Sequence, residues 1–198
     1  MQSDGYTLLD PGKLATLVTY LVHDLATAPS APAWPADCRV ERLKGADLNR
    51  YRQLFRAIGS EWLWFSRLRI PDLALLEILM APQVEAYALA RSGEDIGLIE
   101  LDFRDPETPE LAFFGLVPDA VGQGLGKRAM DLALSRAAAV GVAQLHVHTC
   151  SLDHPRALDF YCRSGFRPVR RAIEVFDDPR LDGTLPRDAA PWLPLLEP

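Results

Sequence analysis

The stretch Asp119–Met130, DAVGQGLGKRAM, places Gly122, Gly124 and Gly126 at every second position, directly ahead of a strongly helical run. Glycine has no Cβ, so the backbone can take positive φ there and lie close against a ligand. A glycine-rich turn feeding a helix start also presents unpaired N–H groups at the positive end of the helix dipole. Together these make a phosphate cradle. Lys127 and Arg128 add positive charge at its mouth. Two nucleotide-binding spacings fail. The Rossmann pattern G-x-G-x-x-G is replaced by G-x-G-x-G, and a Walker loop would need glycine at Val121 and Ser or Thr at Arg128.

Outward from this stretch the pattern alternates between strand and helix. GKRAMDLALSRAAAVG (126–141) reads as the clearest helix, with Ala129, Leu132, Ala133, Ala137 and Val140 on one stripe and Gly141 as C-cap. Before the glycines, VEAYALAR, IGLIELDFR and ELAFFGLV read as strands, the first two joined by the turn Ser92–Asp95. Upstream, LNRYRQLFRAIG reads as a helix stopping at Gly59, and PDLALLEILM as a second helix opened by Pro71. Between them lies the aromatic connection Glu61–Ile70. Lys13–Val22 and Cys38–Leu43 read as strands, separated by an arm containing Pro29, Pro32 and Pro35. After the glycine helix come a strand (AQLHVHTC), a short helix ending at Gly165 and a final strand (FRPVRRAIEVF). The order implies an α/β (α+β) fold: a mixed sheet with helices on both faces. Residues 1–37 are expected to form an N-terminal extension with a proline-rich linker, 38–176 the main domain, and 177–198 an irregular tail from which Trp192 and Leu193 dock back.

A length of 198 residues fits one large domain. The net charge of −6 argues against general nucleic-acid binding and suits cationic substrates. Cys38, Cys150 and Cys162 show no disulfide or zinc spacing, which indicates a reducing compartment. No apolar run approaches the roughly 20 residues that span a bilayer, and the start lacks a signal-peptide pattern. A cytoplasmic protein without a membrane partner is expected.

LVPDAVGQGLGKRAM resembles the pyrophosphate-binding motif of the GNAT superfamily of N-acetyltransferases. Leu116, Val117 and Pro118 match its hydrophobic–x–Pro step, and Gly124 and Gly126 match its glycines; Val121 stands where the family usually has Gln or Arg. HPRALDFYCRSGF resembles the family's later motif through Ala157, Phe160, Tyr161, Gly165 and Phe166, with His154 in place of its asparagine. The two motifs cover residues 110–168. The resemblance implies a mostly antiparallel central sheet and acetyl-CoA as co-substrate, with no metal. It also implies a primary amine of a small molecule as acceptor and direct transfer without an acyl-enzyme. Homodimerisation is left open.

The resemblance carries over to named positions. Tyr161 would be the general acid for the departing thiolate, its ordinary pKa of about 10 keeping it protonated. Glu110 matches a glutamate that activates the amine through water, with Glu100 and Asp102 as alternatives on the neighbouring strand. Phe114, Gly115 and Leu116 would meet the pantetheine arm, and Gly115 inside an apolar strand agrees with a close backbone approach. Gly122, Gln123, Gly124, Leu125, Gly126 and Lys127 would bind pyrophosphate. His154 is a further cofactor contact or else a helix cap. On the acceptor side Glu61, Trp62 and Trp64 are candidates, with one tryptophan expected in the core and Arg67 or Arg69 available to a carboxylate. His146, His148 and Cys150 share a strand face, but one short strand cannot surround a tetrahedral ion. His148 remains a candidate proton relay, and Cys150 is read as an inert thiol rather than an acyl carrier. Two other readings stay open: a non-catalytic acyl-CoA-binding module, and an acetyltransferase of protein N-termini or lysines.

Overall fold

The computed structural model describes residues 4–198. It contains strands β1 (Lys13–Asp24), β2 (Cys38–Leu43), β3 (Val84–Arg91), β4 (Glu94–Asp102), β5 (Glu110–Leu116), β6 (Gln144–Cys150) and β7 (Arg167–Asp177). The helices are α1 (Leu48–Gly59), α2 (Ser66–Arg69), α3 (Asp72–Met80), α4 (Leu125–Val140) and α5 (Ala157–Arg163). One seven-stranded sheet runs β2-β3-β4-β5-β6-β1-β7. Every neighbouring pair is antiparallel except β5–β6. The fold is the mixed sheet with flanking helices that the element order implies, and mostly antiparallel as the resemblance implies.

β3 is buried at every position but Arg91, because helices cover both of its faces. On one face Ala86, Ala88 and Leu98 pack against Leu54, Phe55 and Ile58 of α1 and Leu75 and Leu79 of α3. On the other, Tyr87, Leu89, Ile99 and Leu101 pack against α4. Ser92 and Gly93 close the β3–β4 hairpin with φ of 52° and 90°, the pair of positive values a type I′ turn needs.

The buried stripe of α4 runs through Ala129, Met130, Ala133, Leu134 and Ala137. This corrects the expected stripe. Leu132 is only half-buried and Val140 is 47 % exposed, because the face pressed to the sheet passes through Met130 and Leu134. The alanines at 129, 133 and 137 let the helix sit close.

The segment expected as an N-terminal extension supplies β1, which lies between β6 and β7 and contributes the fully buried Leu21. The tail after Asp177 has no regular structure, yet it is tied down. The buried Arg180 guanidinium donates to Asp178 at 2.9 and 2.6 Å and to the carbonyl oxygens of Ala189 and Leu193 at 3.2 and 2.9 Å. Burial alone would raise the Asp178 pKa, but these bonds from Arg180 hold it below the usual carboxylate value. Among the described residues no helix is long and apolar enough to cross a membrane.

Candidate active site

The parallel pair β5–β6 meets at one position, Glu110 opposite His146, where the His146 N–H donates to Pro109 O at 2.8 Å. Beyond it the strands part. Backbone groups of β5 that point toward β6 then have no ladder partner, and such groups demand one. Neighbouring residues of β5 also face opposite ways: Phe114 packs on Phe160 and Tyr161 of α5, while Gly115 faces Ile58 of α1. A cavity of about 1080 Å³ fills the gap and is lined from both faces. It therefore passes through the sheet.

On the α4–α5 face the cavity is bounded by Leu116, Pro118, Val121, Gly122, Gly124, Gly126 and Lys127, and by Arg156, Phe160, Tyr161 and Arg163 of the later motif. The three glycines are bare for different reasons. Gly122 and Gly124 have φ of 85° and 77°, which L side chains rarely adopt. Gly126 has no such requirement, and a Cβ there would meet nothing closer than Phe160 at 3.7 Å. The protein itself has room for that methyl; it would point into the cavity. Gly124 is the N-cap of α4 and brings no side chain to cap it, so first-turn N–H groups of a 16-residue helix face the cavity unclaimed by a cap. Such an arrangement can hold an anion.

Gln123 and Leu125 do not line the cavity. The Gln123 side chain is held by its own surroundings, donating to Asp119 O at 2.6 Å and accepting from Arg91, and Leu125 is buried. Lys127 lines the mouth but pairs with Asp131 at 2.6 Å. Of the basic group Arg163, Arg167, Arg170 and Arg171, only Arg163 lines the cavity. His154 Nδ1 accepts from the Arg156 N–H at 3.1 Å, and its ring meets Trp62 edge-on.

Gly115 has a cause other than a bulge. It sits in register opposite Leu98, and a Cβ there would lie 2.4 Å from Ile58 Cγ2. Gly115→Ala is expected to destabilise the fold by about 1–3 kcal/mol through overpacking, read from a denaturant midpoint.

The opposite face carries Glu61, Trp62, Leu63, Trp64, Phe65, Glu110, Phe113, His148, Glu174 and Phe176. Leu63 takes φ 55°, a left-handed conformation costing about 1 kcal/mol for a non-glycine residue. That reversal separates the tryptophans. Trp62 turns to His154, whereas Trp64 packs on Phe55 and Phe113 and donates to Asp153 Oδ1 at 3.1 Å. Trp64 is the core anchor of the two. Its Cβ lies 2.4 Å from where a Gly59 Cβ would be, so Gly59 makes room for the aromatic connection.

β5 bulges at Ala112: Glu100 pairs with Phe113 and Leu101 with Leu111. The extra residue returns Glu110 to the face of Phe113. There Glu110 Oε1 bonds His148 Nδ1 at 2.6 Å. This bond from Glu110 raises the His148 pKa above 6.5 against the opposing effect of burial, with further help from the charges of Glu110, Asp153 and Glu174. The alternative carboxylates are engaged elsewhere. Glu100 is wholly buried, accepting from Tyr51 and from Arg67 at 2.6 Å, and Asp102 pairs with Arg104 at 2.6 Å; neither lines the cavity. Arg67 lines it, but its charge is committed to Glu100.

Tyr161 is 7 % exposed among Phe114, Phe160 and Phe166. Burial, and then the Asp153 charge, raise its pKa well above the usual phenol value. Among the described residues nothing bonds its hydroxyl. Cys150 lines the cavity with its thiol pKa raised by burial and by Asp153, so it stays protonated. Asp153, Glu174 and Phe176 are site residues that no sequence signal marked. Asp153 accepts from Thr149 Oγ1 and Cys150 N at 2.7 and 2.8 Å, a short-range turn motif that is visible only in retrospect. The other two enter the site because β1 and β7 join the sheet beside β6.

A model of the acetyltransferase (GNAT) family matches residues 51–166, more than half of the chain. Among solved structures, a GCN5-related N-acetyltransferase from Sphaerobacter thermophilus superposes with a TM-score of 0.60 at 13% identity, over 85% of this chain and 52% of its own. A functionally unknown conserved protein from Staphylococcus epidermidis gives a TM-score of 0.61 at 14% identity, over 84% and 63%. This chain thus spans between about half and two thirds of the length of those two. An aminoglycoside acetyltransferase from an uncultured soil metagenomic sample, in complex with sisomicin, gives 0.52 at 19% identity, over 65% and 87%. At these identities the likeness is one of fold.

Proposed function

We propose that this chain, which belongs to the acetyltransferase (GNAT) family, transfers the acetyl group of acetyl-CoA to a primary amine of a small molecule, directly between two bound substrates. The observation that carries this reading is the cavity through the sheet. A helix N-terminus with Arg156, beside Lys127 paired to Asp131 and Arg163 paired to Asp159, bounds one side, and Glu61, Glu110 and Glu174 the other. Such polarity suits an anionic cofactor on the first side and a cationic acceptor on the second.

Acetyl-CoA, when bound, supplies a thioester acyl group already activated for attack. The amides of Gly122, Gly124, Gly126 and Lys127 hold its pyrophosphate, and the unpaired backbone of Phe114 to Leu116 takes its pantetheine arm. His154 keeps Nε2 for a contact there. A free amine with pKa about 10.4 must lose a proton before it attacks. The Glu110–His148 pair lies on the acceptor side to receive it. Tyr161, protonated at neutral pH, donates to the departing sulfur. Glu61 and Trp62 line the acceptor side, Glu61 attracting the ammonium and Trp62 offering an aromatic face.

The test is a calorimetric titration with acetyl-CoA, CoA and ATP, followed by an acetylation screen with putrescine, spermidine, sisomicin and a lysine-containing peptide. Binding of acetyl-CoA and CoA but not ATP, with turnover of a small amine, is expected. Binding without turnover of any amine would favour a non-catalytic acyl-CoA-binding module, and turnover of the peptide alone a protein acetyltransferase.

A proton path through His148 has a definite pH signature. Only neutral His148 can accept a proton, so kcat/KM should rise with pH through a midpoint above about 6.5. Glu110→Gln removes the carboxylate's charged hydrogen bond and its charge, the main causes that raise this pKa, and leaves burial opposed only by the charges of Asp153 and Glu174. The midpoint should then fall, and kcat/KM at neutral pH should drop by about 10–100-fold. An unmoved midpoint would remove His148 from the path. The sign for stability is opposite. A raised folded-state pKa stabilises below the unfolded value, and that contribution is lost as pH rises through the folded one. With His148 46 % exposed, this contribution is small.

A further inference from the structure

We propose that the C-terminal segment from Asp178 to Leu193 positions the acceptor side of the cavity, with Leu185 and Arg180 as positioning residues; this rests on the acetyl-transfer reading. Four residues that line the cavity, Leu63, Cys150, Leu152 and Phe176, also pack in one apolar cluster with Leu185, Ala190 and Leu193 of the tail. Leu185 and Ala190 do not themselves reach the cavity. They stand one layer behind its wall.

Two further ties fasten the tail to the acceptor connection, and a third fastens that connection to the last residue of β7. Trp192 Nε1 donates to Glu61 O at 3.3 Å, Arg69 pairs with Asp182 at 2.9 Å, and Arg69 donates to Asp177 O at 3.4 Å. Arg180 holds the tail in this path, since one buried guanidinium joins Asp178, at the end of β7, to the carbonyls of Ala189 and Leu193.

The consequence centres on Leu63. It is buried with a left-handed backbone, and that reversal sends Trp62 toward His154 and Trp64 toward Asp153. A strained conformation persists only where surrounding contacts over-determine it. The tail supplies those contacts from the α1–α2 side, whereas the glycine cradle lies on the opposite face of the sheet. Loosening the tail should disturb the Glu61–Phe65 wall and leave cofactor binding intact.

The experiment compares Leu185→Ala and Leu185→Met with wild type in the full chain. It reads the KM of the screened amine that turns over fastest, the acetyl-CoA Kd by calorimetry, and amide exchange at residues 61–65. For Leu185→Ala we expect the amine KM to rise about tenfold while the acetyl-CoA Kd changes by less than about twofold. Exchange at 61–65 should quicken with Leu125–Val140 unchanged, and Leu185→Met should restore both readouts. An acetyl-CoA affinity that falls in step with the amine KM, or unchanged exchange at 61–65, overturns the proposal. If Leu185→Ala does not fold, Trp192→Phe is read the same way, since it removes the bond to Glu61 and keeps an aromatic side chain. A wild type that binds no acetyl-CoA defeats the acetyl-transfer reading, and the exchange data at 61–65 then decide the tail's positioning role alone.

Discussion

Gly126→Ala is expected to make the protein more stable and its binding of acetyl-CoA weaker. The two effects have separate causes. Gly126 is the second residue of α4, with no positive φ, and beyond its chain neighbours and the helix's own backbone the nearest atom to the place an alanine methyl would take is Phe160 Cε2, 3.7 Å away. Alanine in a helix is favoured over glycine by up to about 1 kcal/mol, so the thermal midpoint should rise slightly. The same methyl occupies the space through which first-turn amides reach a phosphate. Gly126→Glu enlarges the second effect by placing a carboxylate against the pyrophosphate. Acetyl-CoA affinity should fall at least about 100-fold, roughly 3 kcal/mol, with the fold retained. Calorimetry with acetyl-CoA beside a thermal melt checks both. A Gly126→Glu chain that folds and binds as wild type does would leave the glycines as a turn only.

The second large effect belongs to Tyr161. Its hydroxyl bonds no described residue while its ring is packed by Phe114, Phe160 and Phe166. Tyr161→Phe therefore keeps the packing and removes only the proton donor. If Tyr161 protonates the departing sulfur, kcat should fall by about 10²–10⁴-fold with acetyl-CoA affinity held within about twofold. Full turnover in this variant would make Tyr161 a packing residue. A fall in affinity equal to the fall in rate would assign it to binding instead of proton transfer.

These two residues lie in segments whose chemistry is local, and local chemistry is legible in a sequence. Alternate glycines before a helix, or a tyrosine ahead of Gly-Phe, act through backbone conformation and neighbours within a turn or two. The strands and helices were legible for the same reason, since hydrophobic period reports which faces are covered. Gly59 and Gly115 show where such reading stops. Both look like punctuation in sequence, yet both make room for side chains on other elements, Trp64 and Ile58.

The proposed acceptor side was decided by tertiary structure. Lys13–Asp24 looks like a detached first strand, but it pairs with both β6 and β7, and that insertion brings Glu174 and Phe176 to the cavity. The tail, irregular and proline-rich, forms the layer behind the acceptor wall because Arg180 finds its carbonyl partners only once the chain has closed. Glu110 is the sharpest case. Side chains alternate along a strand with a period of two, so an unbroken β5 would turn Glu110 to the face of Phe114 and Leu116, beside α4 and α5. One extra residue, Ala112, reverses that and sets Glu110 against His148 on the other face. The sequence by itself determined the family, and it proposed the glycine turn as the cofactor cradle and Tyr161 as the candidate acid. Which carboxylate faces the proposed acceptor side depended on a register shift between two strands, a property of their pairing that neither strand carries alone.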